Sequence, residues 1–311
     1  MTAASQPVRS PRPPAGVLCV FQTPYRADES IDFDTLDGEL DWLFERGADG
    51  VVMAMVSEVL RLSSHERLAL AERVCRVAGR RGAVVISVGA ESSHTAEHYV
   101  KAAESAGADA VMAVPPIAVA LGEEQLLAYY RRILRAVKIP VVVQDASGYV
   151  GRPLPIAMQA RLLDEFGAQV YFKPETPPLG PRLTELLDAT GGKARVFEGS
   201  GGIALVDGFR RGIVGTMPGA DLVEAIVALW SALVRKDDAA AYRIWLPLAA
   251  LVSLEHNLDA FLAIEKYLLV KQRVFSNAIV RGPVGYTLDE ATRNEVDRLF
   301  DLVMAAVAES R

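Results

Sequence analysis

The chain has 311 residues, 51% of them hydrophobic and 23% charged, a balance that supports a large apolar core and excludes disordered, collagen-like and disulfide-stapled classes. Thirty-three Lys plus Arg against 39 Asp plus Glu leave a formal net charge of −6, too acidic for a protein whose main partner is nucleic acid or an anionic membrane; a small-molecule substrate fits better. The longest apolar stretches fall short of the roughly 20 residues that span a bilayer, and two cysteines, Cys19 and Cys75, suit buried reduced thiols, so a cytoplasmic location is expected.

In chain order, residues 1–15 read as a flexible arm, because Met1 to Pro14 hold four prolines and two arginines with no apolar core, which is not a secretory signal. From Gly16 to about Gly219, short β-branched runs alternate with longer amphipathic stretches, the pattern of parallel strands joined by helical crossovers. The predicted strands are 17–22, 50–55, 84–89, 110–114, 140–144, 170–173, 195–198 and 213–217. One of the intervening helices begins with a capping box at Ser63 and Glu66, in which each side chain takes the other's free backbone N–H. Gly-Ala-Asp precedes the second and fourth strands at Gly47 and Gly107, and Gly212 precedes the eighth; a glycine there ends the helix in a left-handed turn. Eight such units over 16–220 predict a (β/α)8 TIM barrel, since a doubly wound sheet has fewer strands. Residues 221–311 turn purely helical, with apolar periodicity through 222–234, 239–254, 258–269 and 288–308, and read as a C-terminal helical extension.

Reacting groups in such a barrel sit at the C-terminal strand ends, so the informative residues are polar ones closing apolar runs. These are Ser57 and Glu58, Gln144 and Asp145, Lys173 and Glu175, Glu198, and Thr216. Lys173 follows Val170-Tyr171-Phe172 into a poorly hydrated interior, which disfavours the ammonium and makes the amine a nucleophile for a carbonyl; the bland alternative is a lysine paired with a carboxylate at the rim. Strand alternation puts Glu175 on the same face as Lys173. Taken singly, Glu58, Asp145 and Glu198 read first as loop or helix-capping carboxylates; their convergence on one rim is what makes them site candidates. Gly199-Ser200-Gly201-Gly202 either lets a substrate approach the backbone or makes a tight turn. The four histidines, His65, His94, His98 and His256, lack metal-ligand spacing, so no metal is expected.

With these residues in view, the chain resembles the dihydrodipicolinate synthase and N-acetylneuraminate lyase superfamily of Schiff-base aldolases and dehydratases. The carriers are Thr23-Pro24, Ser57-Glu58 with Leu62 and Glu66-Arg67, Gly107-Ala108-Asp109-Ala110, Pro115-Pro116, Pro140 to Val143, Lys173, Glu265-Lys266 and Arg281-Gly282-Pro283. The resemblance implies Lys173 as the imine-forming lysine, a 2-oxo acid substrate, a homo-oligomer (tetramer or dimer), and chemistry with neither metal nor cofactor. Departures fall on the site. The family's Gly-Thr-Thr-Gly-Glu is Ala54-Met55-Val56-Ser57-Glu58, its proton-relaying tyrosine is Gln144, and the synthases' arginine aligns with Tyr149. The segment Lys173 to Pro178 resembles members that dehydrate or cleave 2-oxo-3-deoxy sugar acids. The reading is therefore a Schiff-base lyase, with Glu175 as first and Tyr149 as second choice of general base. Ser57, Glu58, Gln144, Glu198, Gly199 and Thr216 are expected around the substrate. A lysine-pathway synthase or other pyruvate-condensing aldolase, and a non-catalytic binding barrel, are the alternatives.

Overall fold

A computed structural model describes residues 13–79 and 81–310; of the arm expected over 1–15, residues 1–12 lie outside the described residues. Eight strands follow in chain order: β1 (Gly16–Val20), β2 (Gly50–Val52), β3 (Ala83–Ser87), β4 (Ala110–Ala113), β5 (Val141–Asp145), β6 (Val170–Pro174), β7 (Phe197–Glu198) and β8 (Gly215–Thr216). Between them run α1 (Phe33–Glu45), α2 (Ser64–Ala78), α3 (Ser93–Ala106), α4 (Glu123–Ala136), α5 (Ile156–Phe166), α6 (Leu179–Ala189) and α7 (Leu205–Arg210). All pairings are parallel, in the order β6-β5-β4-β3-β2-β1-β8-β7, and a bridge between Phe172 and Val196 joins the ends into a barrel. The later chain forms α8 (Val223–Val234), α9 (Asp238–Val252), α10 (Leu258–Lys271) and α11 (Glu290–Glu309). Among the described residues no helix is long and apolar enough to cross a membrane.

The two-residue period of the strands sorts their side chains into two cores. Val17, Cys19, Val51, Val84, Ile86, Val111, Val141, Val143 and Phe172 face outward and pack under the helices. Leu18, Val20, Val52, Ala54, Val85, Met112, Val142, Tyr171 and Phe197 fill the barrel, where the Tyr171 and Phe197 rings stack at 6.0 Å. Lys173 continues the inward series of Tyr171, and Gln144 that of Val142. Both cysteines are buried and free, and burial pushes the Cys75 thiol up to about 12.

The expected helix boundaries form as the local chemistry dictates. Ser63 Oγ accepts from Glu66 N while Glu66 Oε2 accepts from Ser63 N at 2.9 Å. Gly47, Gly107 and Gly212 adopt φ of 93°, 94° and 92°, a region costly for any residue with a Cβ. The aspartates of the Gly-Ala-Asp repeat also bond across to neighbouring strands. Asp49 Oδ2 accepts from Val17 N at 2.9 Å, and Asp109 Oδ2 from Val84 N at 3.0 Å, so each supplies an acceptor to the start of the adjacent strand. β2 ends earlier than its apolar run because Ser57 Oγ accepts from Ala54 N at 3.1 Å and donates to Phe21 O at 2.6 Å, folding Met55–Ser57 into a single 3-10 turn.

Candidate active site

The register of β5 on β6 places Gln144 beside Lys173. Beyond β6 the backbone stays on course, with Glu175 N donating to Asp145 O at 2.9 Å, so Glu175 returns to the inward face. Lys173 Nζ then lies 3.0 Å from Glu175 Oε1, with both side chains only 4% exposed. Gln144 Nε2 donates to Glu175 Oε2 at 2.6 Å. Burial pushes the Glu175 carboxyl above its ordinary value, although the adjacent ammonium and the Gln144 amide pull it down. Proton affinity is thereby raised on a carboxylate already aligned with the amine.

These three side chains open into a cavity also lined by Ala54, Met55, Val56, Tyr149, Gly199, Gly201, Met217, Gly219, Leu258 and Phe261. Gly199 is required by close approach: a Cβ there would lie 2.5 Å from Lys173 Cε and 2.9 Å from Glu175 Cγ. The Tyr149 ring meets Phe261 edge-on, with centroids 6.4 Å apart. Burial and then the charge of Glu175 raise the Tyr149 phenol well above its usual value, so it stays protonated at neutral pH. Its hydroxyl makes no hydrogen bond among the described residues.

Of the nine residues expected at the site, Lys173, Glu175, Gln144, Tyr149 and Gly199 converge on the cavity. The other four have their polar groups engaged elsewhere. Ser57 holds the turn after β2. Glu58 pairs with Lys266 Nζ and accepts from Arg281 N at 3.2 Å, clamping α10 and the following segment to that turn. Glu198 Oε1 accepts from Ser200 N at 2.7 Å, and Glu198 Oε2 from Thr216 Oγ1 at 2.6 Å, which shapes the glycine run. Asp145 points outward, accepting from Leu154 N at 2.9 Å and Ser147 Oγ at 2.6 Å.

Sequence reasoning missed two features. The apolar wall from Leu258 and Phe261 belongs to a helix outside the eight repeats, and only tertiary packing brings it over the barrel. The second is a set of buried carboxyls, Glu39, Asp221, Glu255 and Glu265. Burial raises Glu39 to about 8 and Asp221 to about 7, and lifts Glu255 and Glu265 well above the carboxylate range. Glu39 was visible as the one acid in the apolar face Leu36, Leu40, Leu43 of α1, and Glu265 as an acid inside the apolar period of α10.

A parallel barrel with an amine and a carboxyl meeting inside its C-terminal end is the architecture of a barrel enzyme. Residues 13–217 match the Dihydrodipicolinate synthetase family, and the chain belongs to that family. It is 28% identical over 256 residues to the L-2-keto-3-deoxyarabonate dehydratase of Azospirillum brasilense, spanning 80% of this chain and 81% of that one. It is 26% identical over 186 residues to the 4-hydroxy-tetrahydrodipicolinate synthase of Chloroherpeton thalassium, spanning 60% of this chain and 61% of that protein. The crystal structure of dihydrodipicolinate synthase from Rhodopseudomonas palustris superposes with a TM-score of 0.84 at 25% identity, covering 93% of this chain and 97% of the other. The chain is accordingly an enzyme of the lyase class acting on a small molecule.

Proposed function

We propose that the protein forms a Schiff base between Lys173 and C2 of a 2-oxo acid, and dehydrates or cleaves a 2-oxo-3-deoxy sugar acid. The observation that carries this reading is the buried Lys173 amine 3.0 Å from Glu175 in the cavity. The dehydratase relative supports the sugar-acid class. Met55 and Val56 head the 3-10 turn, and their N–H groups have no acceptor among the described residues; they are the donors we assign to the substrate carboxylate, since the Ser57 hydroxyl is engaged.

In the dehydration, the Lys173 amine adds to the C2 ketone and one water leaves as the iminium forms. Glu175 takes a proton from C3, and the electron pair moves to the iminium nitrogen, giving an enamine. The enamine expels the C4 hydroxyl, which departs as water with the proton held by Glu175. Hydrolysis of the remaining iminium returns the Lys173 amine. In cleavage no proton leaves C3: Glu175 takes the proton of the C4 hydroxyl, the C3–C4 bond breaks as C4 becomes a carbonyl and its electron pair moves to the iminium nitrogen, and Glu175 returns the proton to C3 of the enamine before hydrolysis. Gln144 has no titratable proton near neutral pH and orients Glu175; Tyr149, protonated, faces the C4 hydroxyl. Both sequences balance without metal or cofactor. A homo-oligomer, tetramer or dimer, in the cytoplasm belongs to the same proposal, supported by the family and by two free buried thiols.

The test is borohydride reduction in the presence of pyruvate and of a panel of 2-oxo-3-deoxy sugar acids, followed by peptide mass spectrometry. A reduced adduct on Lys173 is expected. A folded protein that traps no acid, or traps it on another lysine, overturns the assignment.

A further inference from the structure

Buried carboxyls that the reaction does not use form a chain of contacts reaching α10. Gln22 N donates to Glu39 Oε1 at 2.8 Å, the Gln22 amide donates to Glu265 Oε2, and the Glu265 and Asp221 carboxyls meet in a hydrogen bond. A Cβ at Gly219, which lines the cavity, would overlap Glu265 Oε1 and lie 3.0 Å from Asp221 Oδ1, so only a glycine there lets α10 come this close. Five oxygens of the group, Gln22 Oε1, Glu39 Oε2, Asp221 Oδ2, Glu255 Oε1 and Glu265 Oε1, are buried without a hydrogen-bond donor among the described residues. The titratable groups facing Glu265 are Asp221, Glu255 and Glu39, with Lys266 on its own helix, the Cys19 thiol of β1 and the Tyr149 phenol. Lys266, the one cation among them, is already paired with Glu58. Facing carboxyls with no cation to spare cannot all ionise, and a proton on Glu265 Oε1 gives that oxygen a partner in Asp221. Along α10, Leu258, Phe261 and Glu265 fall at i, i+3 and i+7, on one side of the helix. The side that carries the acid is therefore the side that walls the cavity and meets Tyr149.

We infer, on the basis of the Schiff-base reading above, that Glu265 is a positioning residue of the lyase: as a neutral acid donating to Asp221 it seats α10 so that Leu258 and Phe261 close the cavity, and loss of its proton loosens the helix and weakens substrate binding. Burial holds the seated Glu265 well above its ordinary value of 4.5, so the seated helix keeps a proton that a loosened one, with Glu265 in water, gives up. Seating is therefore strongest at low pH. It weakens by up to about 10-fold per pH unit as pH climbs from the ordinary carboxyl value towards the raised one. Substrate that binds the seated form draws the helix back, so the loss appears in KM while kcat holds.

The experiment measures hydrogen exchange of the α10 amides, read against those of α3, from about pH 6 to about pH 9 on the full-length protein and on Glu265→Gln. Steady-state kinetics on the sugar acid of the trapping panel that turns over fastest, and borohydride trapping of pyruvate, run on the same preparations. In the unaltered protein, protection of α10 is expected to fall by up to about 10-fold per pH unit, and KM to rise with little change in kcat. Glu265→Gln, whose amide donates to Asp221 without titrating, should show neither slope. Protection of α10 that follows α3 at every pH, or the same slope in Glu265→Gln, overturns the inference, and so does a KM that stays flat while α10 loosens. Should Glu265→Gln fail to fold, the slopes of the unaltered protein decide. A missing Lys173 adduct overturns the Schiff-base reading instead, and the exchange slopes then still decide the seating of α10.

Discussion

Replacing Glu175 by Gln keeps the shape of the site and removes its candidate base. The buried Lys173–Glu175 pair, 3.0 Å apart, has a gross attraction of about 5.5 kcal/mol at an effective dielectric of about 20, most of it offset by the desolvation of both groups. The amide retains one acceptor, while Lys173 and the Gln144 amide both approach as donors. One donor is therefore left poorly satisfied, at a cost of roughly 1–3 kcal/mol of stability. Turnover has a larger stake: loss of a positioned general base slows the reaction about 10²- to 10⁴-fold, or roughly 3–5 kcal/mol of barrier. The assay pairs steady-state kinetics with borohydride trapping. Glu175→Gln is expected to form the Lys173 adduct with pyruvate and to lose turnover. Because burial raises the Glu175 carboxyl, the unaltered enzyme should lose kcat/KM as pH falls, through a limb lying above the ordinary carboxylate range, and the variant should lack that limb. Full turnover in Glu175→Gln, or an unchanged acid limb, would refute the assignment.

Three further changes probe the surroundings. Gly199→Ala places a methyl 2.5 Å from Lys173 Cε; the flexible end of that side chain can shift at little cost in stability, but a displacement of this kind can cost about 100-fold in rate, so activity should fall far more than the melting temperature. Lys266→Met removes the nearer cation from Glu58, which keeps Arg61 at 3.9 Å, and the donor to Thr23 O at 2.8 Å and Ile279 O at 2.7 Å; a loss of up to about 3–5 kcal/mol is expected in denaturant unfolding, and an unchanged midpoint would contradict the pairing. Glu39 is raised from 4.5 to about 8 in the folded protein, so between those values the folded state holds a proton that the unfolded state has released. Its contribution to stability is complete below about 4.5 and declines as pH rises through about 8, at up to about 1.4 kcal/mol per pH unit. Thermal unfolding of Glu39→Gln at pH 5, 7 and 8.5 should show a shallower decline than the unaltered protein, and parallel curves would rule this out.

The eight-unit rhythm was legible in the sequence because each cause is local. β-branched runs set the strands, Ser63 with Glu66 sets a helix start, and Gly47, Gly107 and Gly212 sit where a left-handed turn feeds a strand. Alternation along β6 was enough to place Lys173 and Glu175 on one face, and the register with β5 then set Gln144 beside Lys173. The fate of the other rim carboxylates was not local. Whether Glu58 faces substrate or a cation depended on Lys266, more than 200 residues away, and Glu198 turned back onto its own glycine run through Ser200 and Thr216. Likewise, the apolar period of 258–269 announced a helix but not the surface that it would cover. Sequence by itself determined the barrel and its lysine, since strand and helix periods are properties of neighbouring residues. Only the tertiary structure decided which carboxyls stay free to act and which wall the substrate meets, because hydrogen-bond partners and cavity linings are contacts between segments far apart in the chain.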